Sequence, residues 1–254
     1  VRFKAGRPQK IGGWRKDNIN SFLGICRALH GWLTLAGTKL LGLGTTKKYY
    51  IEQGTNFADI TPIRLTTSAG DVTFAKIANG DATLTVSDTA HGAVVGDFVT
   101  YTDAASLGGN IIAAVLNQEY EITTIINANS YNIEAKDTSG DPVLAAAGDS
   151  GNGGSSTVGA YQINIGLDVF VSSTGWGVGL WGAGAFGSST AITLTNQLRL
   201  WSHDNFGEDL LINPRAGGVY YWDATNGVTT RAYDLSTQSG ADLVPTVGLQ
   251  VLVS

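Results

Sequence analysis

Three stretches of this chain carry residues whose types and spacing could do chemistry. Within GWGVGLWGAGAFG (175–187), the segment GVGLWG (177–182) matches G-x-G-x-x-G, the turn that brings backbone amides and a helix N-terminus against a dinucleotide pyrophosphate. SHDNFGED (202–209) sets His203 beside Asp204, Glu208 and Asp209, a set that could serve acid–base or metal chemistry. DTSGDP (137–142) and GDSGNGG (148–154) have the composition of a calcium-binding loop.

Each meets a physical objection. A working dinucleotide turn needs a helix after it and an acidic residue about 20 positions on. Here Gly182 is followed by AGAFGSSTAITLTNQLRLW, more glycine punctuation and then a β run. The better description is a quasi-repeat of GWGVG, LWGAG and AFG: an irregular loop in which Trp176, Trp181 and Phe186 act as interface anchors and glycines permit positive φ. In SHDNFGED, Asp204, Asn205 and Gly207 are turn formers that introduce a hairpin, and carboxylates cleaving a glycoside would have to lie about 5 to 9.5 Å apart in a cleft. The acidic loops lack the D-x-[DN]-x-[DN]-G-x5-E spacing and read as surface loops. His30 and His91 stand alone, and no Ser or Cys sits in a G-x-S-x-G elbow. Cys26, the single cysteine, excludes an internal disulfide and cannot build a zinc site. The expectation is a protein with no catalytic residues, no cofactor and no metal, and not an enzyme.

The elements around these stretches are β. At 254 residues and 43% hydrophobic, the chain can bury one large or two modest cores. Helical periodicity is weak, while β-branched and alternating runs recur at 39–45, 48–53, 82–88, 97–103, 120–127, 130–136, 191–201, 209–214 and 218–224. One internal repeat emerges. Trp32, Gly37, Leu40, Leu41, Tyr49 and Tyr50 match Trp201, Gly207, Leu210, Leu211, Tyr220 and Tyr221, each copy reading as a hairpin: a turn glycine, a buried strand, a short loop and then an aromatic strand. About four strands per unit suits a β-propeller blade, which buries its faces by stacking on neighbours, and two copies are too few to close a ring. Residues 76–156 are rich in Ala, Thr, Asp and Asn, contain no Trp, and read as an inserted small β domain. The expected organisation is all-β, partial propeller-like blades over 1–75 and 157–254 with the inserted domain over 76–156.

Net charge is −5, so no overall basic field gathers nucleic acid, although Arg2, Lys4, Arg7, Lys10, Arg15 and Lys16 cluster near the N-terminus as a solvated or partner-facing edge. No apolar run approaches a membrane span, and VRFKAGRPQK is not a signal peptide. The absence of methionine and the strand-like end PTVGLQVLVS suggest a piece of a longer or processed product.

VRFKAGRPQKIGGW, RALHGW, TKLLGLGTTKKYYIEQGTNFADITPIR, the Gly-Trp loop and LRLWSHDNFGEDLLINPRAGGVYYWDA together resemble the N-terminal part of tail nozzle proteins (tail tubular protein B, or tail hub) of short-tailed double-stranded DNA bacteriophages. The resemblance covers roughly 1–75 and 157–254. Residues 80–136 are similar to a small β module inserted in loops of phage virion proteins. The resemblance implies a propeller-like body in a homo-oligomeric ring, a hexamer, beneath the tail adaptor protein. That ring would pass genomic DNA without sequence-specific binding and anchor tail fibres on the virion's short tail. Two competitors are a virion-surface propeller that binds or cleaves glycans, with Tyr220, Tyr221 and Trp222 stacking on sugars, and a decoration protein of capsid or tail. Alternation weakens the first, since adjacent strand residues face opposite sides.

Overall fold

The computed structural model describes residues 2–9, 19–164, 166 and 198–253. It is all-β, built almost wholly from antiparallel sheets of four strands.

A short hairpin comes first, β1 (Arg2–Lys4) and β2 (Arg7–Gln9), turning on Ala5 and Gly6. Both turn residues have positive φ, 52° and 72°, as a two-residue turn requires to match strand twist. The first full sheet is a meander: β3 (Cys26–Leu33), β4 (Lys39–Thr45), β5 (Tyr49–Gln53) and β6 (Asn56–Asp59), adjacent in that order. β4 is buried along nearly its whole length, as its near-continuous apolar sequence KLLGLGT demands. The last full sheet repeats the arrangement with β15 (Trp201–Phe206), β16 (Asp209–Pro214), β17 (Tyr220–Trp222) and β18 (Tyr233–Asp234). Meanders of this strand order are propeller-like blades.

Between them in the chain lie two further four-stranded sheets, called the insert below. β7 (Ile63–Thr66), β10 (Phe98–Thr102), β11 (Glu119–Glu121) and β14 (Val158–Gln162) form one sheet in the order β11-β10-β14-β7. β8 (Thr73–Lys76), β9 (Thr83–Ser87), β12 (Thr124–Asn127) and β13 (Ser130–Glu134) form the other, in the order β12-β13-β9-β8. One helical turn, α1 (Ala113–Leu116), plugs the core with Val115 and Leu116. TLTVS and SYNIE alternate buried and less buried positions, so each sends one face to a core that includes Phe74, Leu84, Val86, Tyr101, Tyr131, Ile133 and Tyr161. The composition change at residue 76 falls at the end of β8, and β7 and β14, which flank 76–156, pair with each other and with β10. Composition marks where the Ala- and Thr-rich sequence begins; backbone pairing sets which strands share a sheet. The two crossings into the insert lie side by side, with the Ile163 amide donating to the Pro62 carbonyl at 3.0 Å.

The two blades share one core. Leu40, Tyr49, Ile51, Trp201, Leu210, Ile212 and Trp222 form a single buried cluster, closed near the insert by Ile60 and Ile163. Glycine decides this packing on β4. A Cβ at Gly44 would fall 2.5 Å from Cδ1 of Trp201, and one at Gly42 would fall 2.6 Å from the Tyr49 hydroxyl. Leu40, Gly42 and Gly44 alternate along one face, so the strand offers a flat floor on which two aromatic rings lie.

Candidate functional site

The seam between the blades is polar at its centre. Counting back from each first hairpin, His30 pairs with Gly42 and His203 with Ile212, corresponding rungs of the two ladders. Their rings meet at 4.9 Å. His203 Nδ1 is hydrogen-bonded to the Tyr49 hydroxyl at 2.8 Å, and His30 Nε2 to the Asn205 side-chain oxygen. Trp201 donates its indole N–H to the Thr45 carbonyl at 2.8 Å and packs edge-on against Tyr49. Trp32 donates to the Glu208 carbonyl at 3.1 Å and meets Trp222 edge-on. The Glu208 carboxylate accepts from the Leu35 amide, so the turn of each hairpin is tied to the other blade.

Burial, and after it the charge that a protonated His30 would add, hold the His203 imidazole at a pKa of about 4, well below 6.5. Above pH 6.5 the ring is neutral folded or unfolded. Between pH 6.5 and about 4 the unfolded chain takes up a proton that the folded chain refuses, so stability falls as pH falls through this window. Urea unfolding at pH 7.5 and 4.5 checks this: the loss on acidification should shrink in His203→Gln relative to the wild type.

A cluster of charges joins the insert to both blades. Lys48, its side chain only 3% exposed, immediately precedes β5 and reaches Asp59 at 2.7 Å and Glu119 of the insert. Arg231, beside the second blade, approaches the same carboxylates at 3.1 and 3.5 Å and donates to the Thr61 carbonyl at 2.7 Å. Lys47 pairs with Glu121 at 2.6 Å, and both lysines lie over the Phe98 ring. Burial alone would raise the Asp59 pKa, but Lys48 and Arg231 outweigh it and the net direction is down. Lys48 and Asp59 of the first blade, Glu119 of the insert and Arg231 beside the second blade therefore share a single ion cluster.

The insert has its own polar spine. The hydroxyls of Tyr101 and Tyr131 lie 2.6 Å apart, those of Tyr131 and Tyr161 2.7 Å apart, and Tyr161 donates to Asp88 at 2.5 Å. Burial raises the Asp88 pKa against the pull of that hydrogen bond. His91 packs edge-on to Tyr131 and Arg64 lies over Tyr161, so this His is a core group. Asp149 is the other anchor, accepting the backbone N–H of Gly109, Asn110, Ile111 and Ala146 at 2.8 to 3.1 Å. Burial pushes its carboxyl up, the four amides outweigh burial, and its pKa lies below the usual range. Its contribution is therefore complete above the unfolded value and lost as pH falls through the folded one. Asp149→Ala leaves those donors without an acceptor and should cost on the order of 3 kcal/mol in chemical denaturation, with Asp149→Asn intermediate.

The residues singled out by sequence fall as follows. Trp176, Trp181 and Phe186, with the whole GVGLWG segment, lie outside the described residues. Leu40, Tyr49, Trp201 and Leu210 are in the shared core, with Trp32 and Tyr220 packed against it. Tyr50 is buried, and Leu41, Leu211 and Tyr221 are half-buried. The ladders align the copies differently from the residue match. Trp32 pairs with Leu40 at the turn end of β3, whereas Trp201 pairs with Pro214 at the far end of β15. The longer turn of the first hairpin and the glycine floor for Trp201 explain the shift. In SHDNFGED, His203 and Asp204 point to opposite faces, and Asp204 accepts the Val253 amide at 2.9 Å. Asp209 accepts the Tyr221 hydroxyl and the Ala224 amide. Among the described residues no three His, Cys, Asp or Glu side chains are grouped to hold a metal ion.

Lys48, Asp59, Glu119 and Arg231 were not legible as a group: TTKK reads as a turn, and nothing local pairs a lysine with an acid 71 residues on. The tyrosine spine carried a faint signal, one Tyr in each of three strands at 101, 131 and 161.

No family model matches the chain, and no curated protein matches it. Among solved structures, a phage phi92 endosialidase is similar to it with a TM-score of 0.26 and 9% identity, over 78% of this chain. The chain spans 27% of the length of that protein. No described helix is long and apolar enough to cross a membrane.

Proposed function

We propose that this chain is a structural virion protein, a subunit of the ring-shaped nozzle of a short phage tail, which forms the DNA exit conduit and carries fibres. The observation that carries the reading is the blade pair: two four-stranded meanders share one core and leave an outward face on each side. On the first blade Leu29 and Leu33 of β3 are exposed, and on the second Phe206 of β15 is. Apolar faces of this kind are a liability on a monomer and an interface in a ring. The role is mechanical: the chain positions surfaces and performs no bond chemistry. The net negative charge suits a wall along which phosphate slides rather than sticks; a strongly basic lumen would contradict that feature.

The insert, tied to the blades by the Lys48 cluster, suits an attachment platform. Quantitative mass spectrometry of purified virions tests the reading. A nozzle subunit is present in a small fixed number per particle, matching one ring, whereas hundreds of copies would identify a decoration protein.

A further inference from the structure

The Lys48 cluster places an amine, an acyl group and a base around one carbon atom. Lys48 Nζ lies 2.7 Å from Oδ2 of Asp59, donates also to Oε2 of Glu119, and stands 4.7 Å from the centre of the Phe98 ring. The lysine side chain is 3% exposed and Phe98 is buried, so little water reaches the amine. The other oxygen of Asp59, Oδ1, accepts the Thr61 backbone N–H at 2.9 Å. A nucleophile, an adjacent base and a fixed donor on the acyl oxygen are the parts of an acyl transfer. The neighbouring cations lack them: Lys47 is 26% exposed against a Glu121 that is 35% exposed, and the Arg231 guanidinium keeps its charge.

We propose that Lys48 and Asp59 condense to an amide between Nζ and Cγ, with Glu119 carrying a proton and water leaving. The Lys48 ammonium passes one proton to Oδ2 of Asp59, which gives a neutral amine beside a neutral acid. The amine electron pair then forms the bond to Cγ as the C=O pair moves onto Oδ1, where the Thr61 N–H holds it. Glu119 takes a second proton from the nitrogen and returns it to Oδ2, and that C–O bond breaks to release water. One amide N–H remains, Glu119 is a carboxylate again, and no outside reagent is consumed. Charge stays balanced: two cations and two carboxylates become Arg231 with Glu119. Arg231 favours the ionised Asp59, so the neutral pair is rare and the bond forms slowly, once per chain. The ion cluster is thus the state of the newly folded protein.

The bond closes the base of a hairpin. Lys48 immediately precedes β5, Asp59 ends β6, and β6 is an edge strand paired with β5 alone. Residues 60–62 then lead into β7. An amide there keeps β6 from peeling off the blade at the point where the chain crosses into the insert, which suits a part that carries load. The inference stands apart from the ring reading, since the bond forms within a single chain.

Mass spectrometry of the full chain tests it. Purified protein is held at neutral pH for several days, weighed intact, then digested with trypsin. The expected result is a growing fraction lighter by one water, yielding a peptide of residues 48–64 that resists cleavage after Lys48. Lys48→Arg keeps the cation and the fold and should show no loss of water. Glu119→Gln should slow the reaction on the order of a hundredfold, as expected for loss of a general base. Unchanged mass in the folded wild type overturns the proposal, as does loss of water that persists in Lys48→Arg or leaves Lys48 cleavable, the mark of a succinimide at Asp59. A branched product joining 48–64 to the 77–136 peptide overturns Asp59 as the acyl group, and a rate indifferent to Glu119→Gln overturns the proton carrier.

Discussion

Trp201→Ala is expected to lower the stability of the blade pair by about 3 to 5 kcal/mol, the range for removing a buried Trp from a core. The ring is buried, its N–H satisfies the Thr45 carbonyl, and it lies against the backbone of Gly44 and the edge-on Tyr49 ring. No neighbouring backbone can follow it inward, since β4 is a central strand paired on both sides. The partner glycine gives a sharper test. Gly44→Ala alone should destabilise by about 2 kcal/mol, because its Cβ would lie 2.5 Å from the indole. In the Trp201→Ala background the same methyl enters the space vacated by the ring and should be neutral or helpful. A double-mutant cycle by urea denaturation should therefore show a coupling of about 1 to 3 kcal/mol, and simple additivity would mean the two residues do not touch.

Lys48→Met is expected to cost about 3 kcal/mol, at the lower end for breaking a buried pair because Asp59 and Glu119 keep some access to solvent. The loss comes less from the missing attraction than from two carboxylates left near each other with Arg231 as their shared cation. The triple variant Lys48→Met, Asp59→Asn, Glu119→Gln should recover much of it. The insert's attachment should loosen as well: amides of β11 and β14 should exchange faster in Lys48→Met, while those of β9 and β13, far from the junction, stay protected. Equal exchange in all four strands would show that the cluster does not hold the insert to the blades.

What was legible in the sequence follows the range of the forces involved. The β class and the inner strands β4, β5, β16 and β17 follow from local alternation and from turn glycines, Gly37 at φ 80° and Gly207 at φ 67°, whereas β3, β6 and β18 left no such pattern and β15 lies over the residues read as a turn. Residues 76–156 stand out in composition by their missing tryptophans, but the two sheets there draw on β7 and β14, outside that range, through pairings of residues 94 to 99 positions apart. The Trp match read residue identity, whereas ladder position is set by turn length. The seam was visible as separate residues, His30, Tyr49, Trp201 and His203, and could not be read as a site, because its contacts span 154 to 175 positions. Asp149 read as a surface acid, since the four amides it binds are contributed by the backbone and leave no trace in side-chain identity.

The central claim is that this chain is a ring subunit at the base of a short tail. Cryo-EM class averages of the particle tests it most directly. The expected result is a closed axial ring containing this chain, with a central hole wide enough for duplex DNA and the insert on its outside. Scattered monomers, or peripheral spikes without a hole, would contradict it and turn attention to glycan binding by the 202–223 segment.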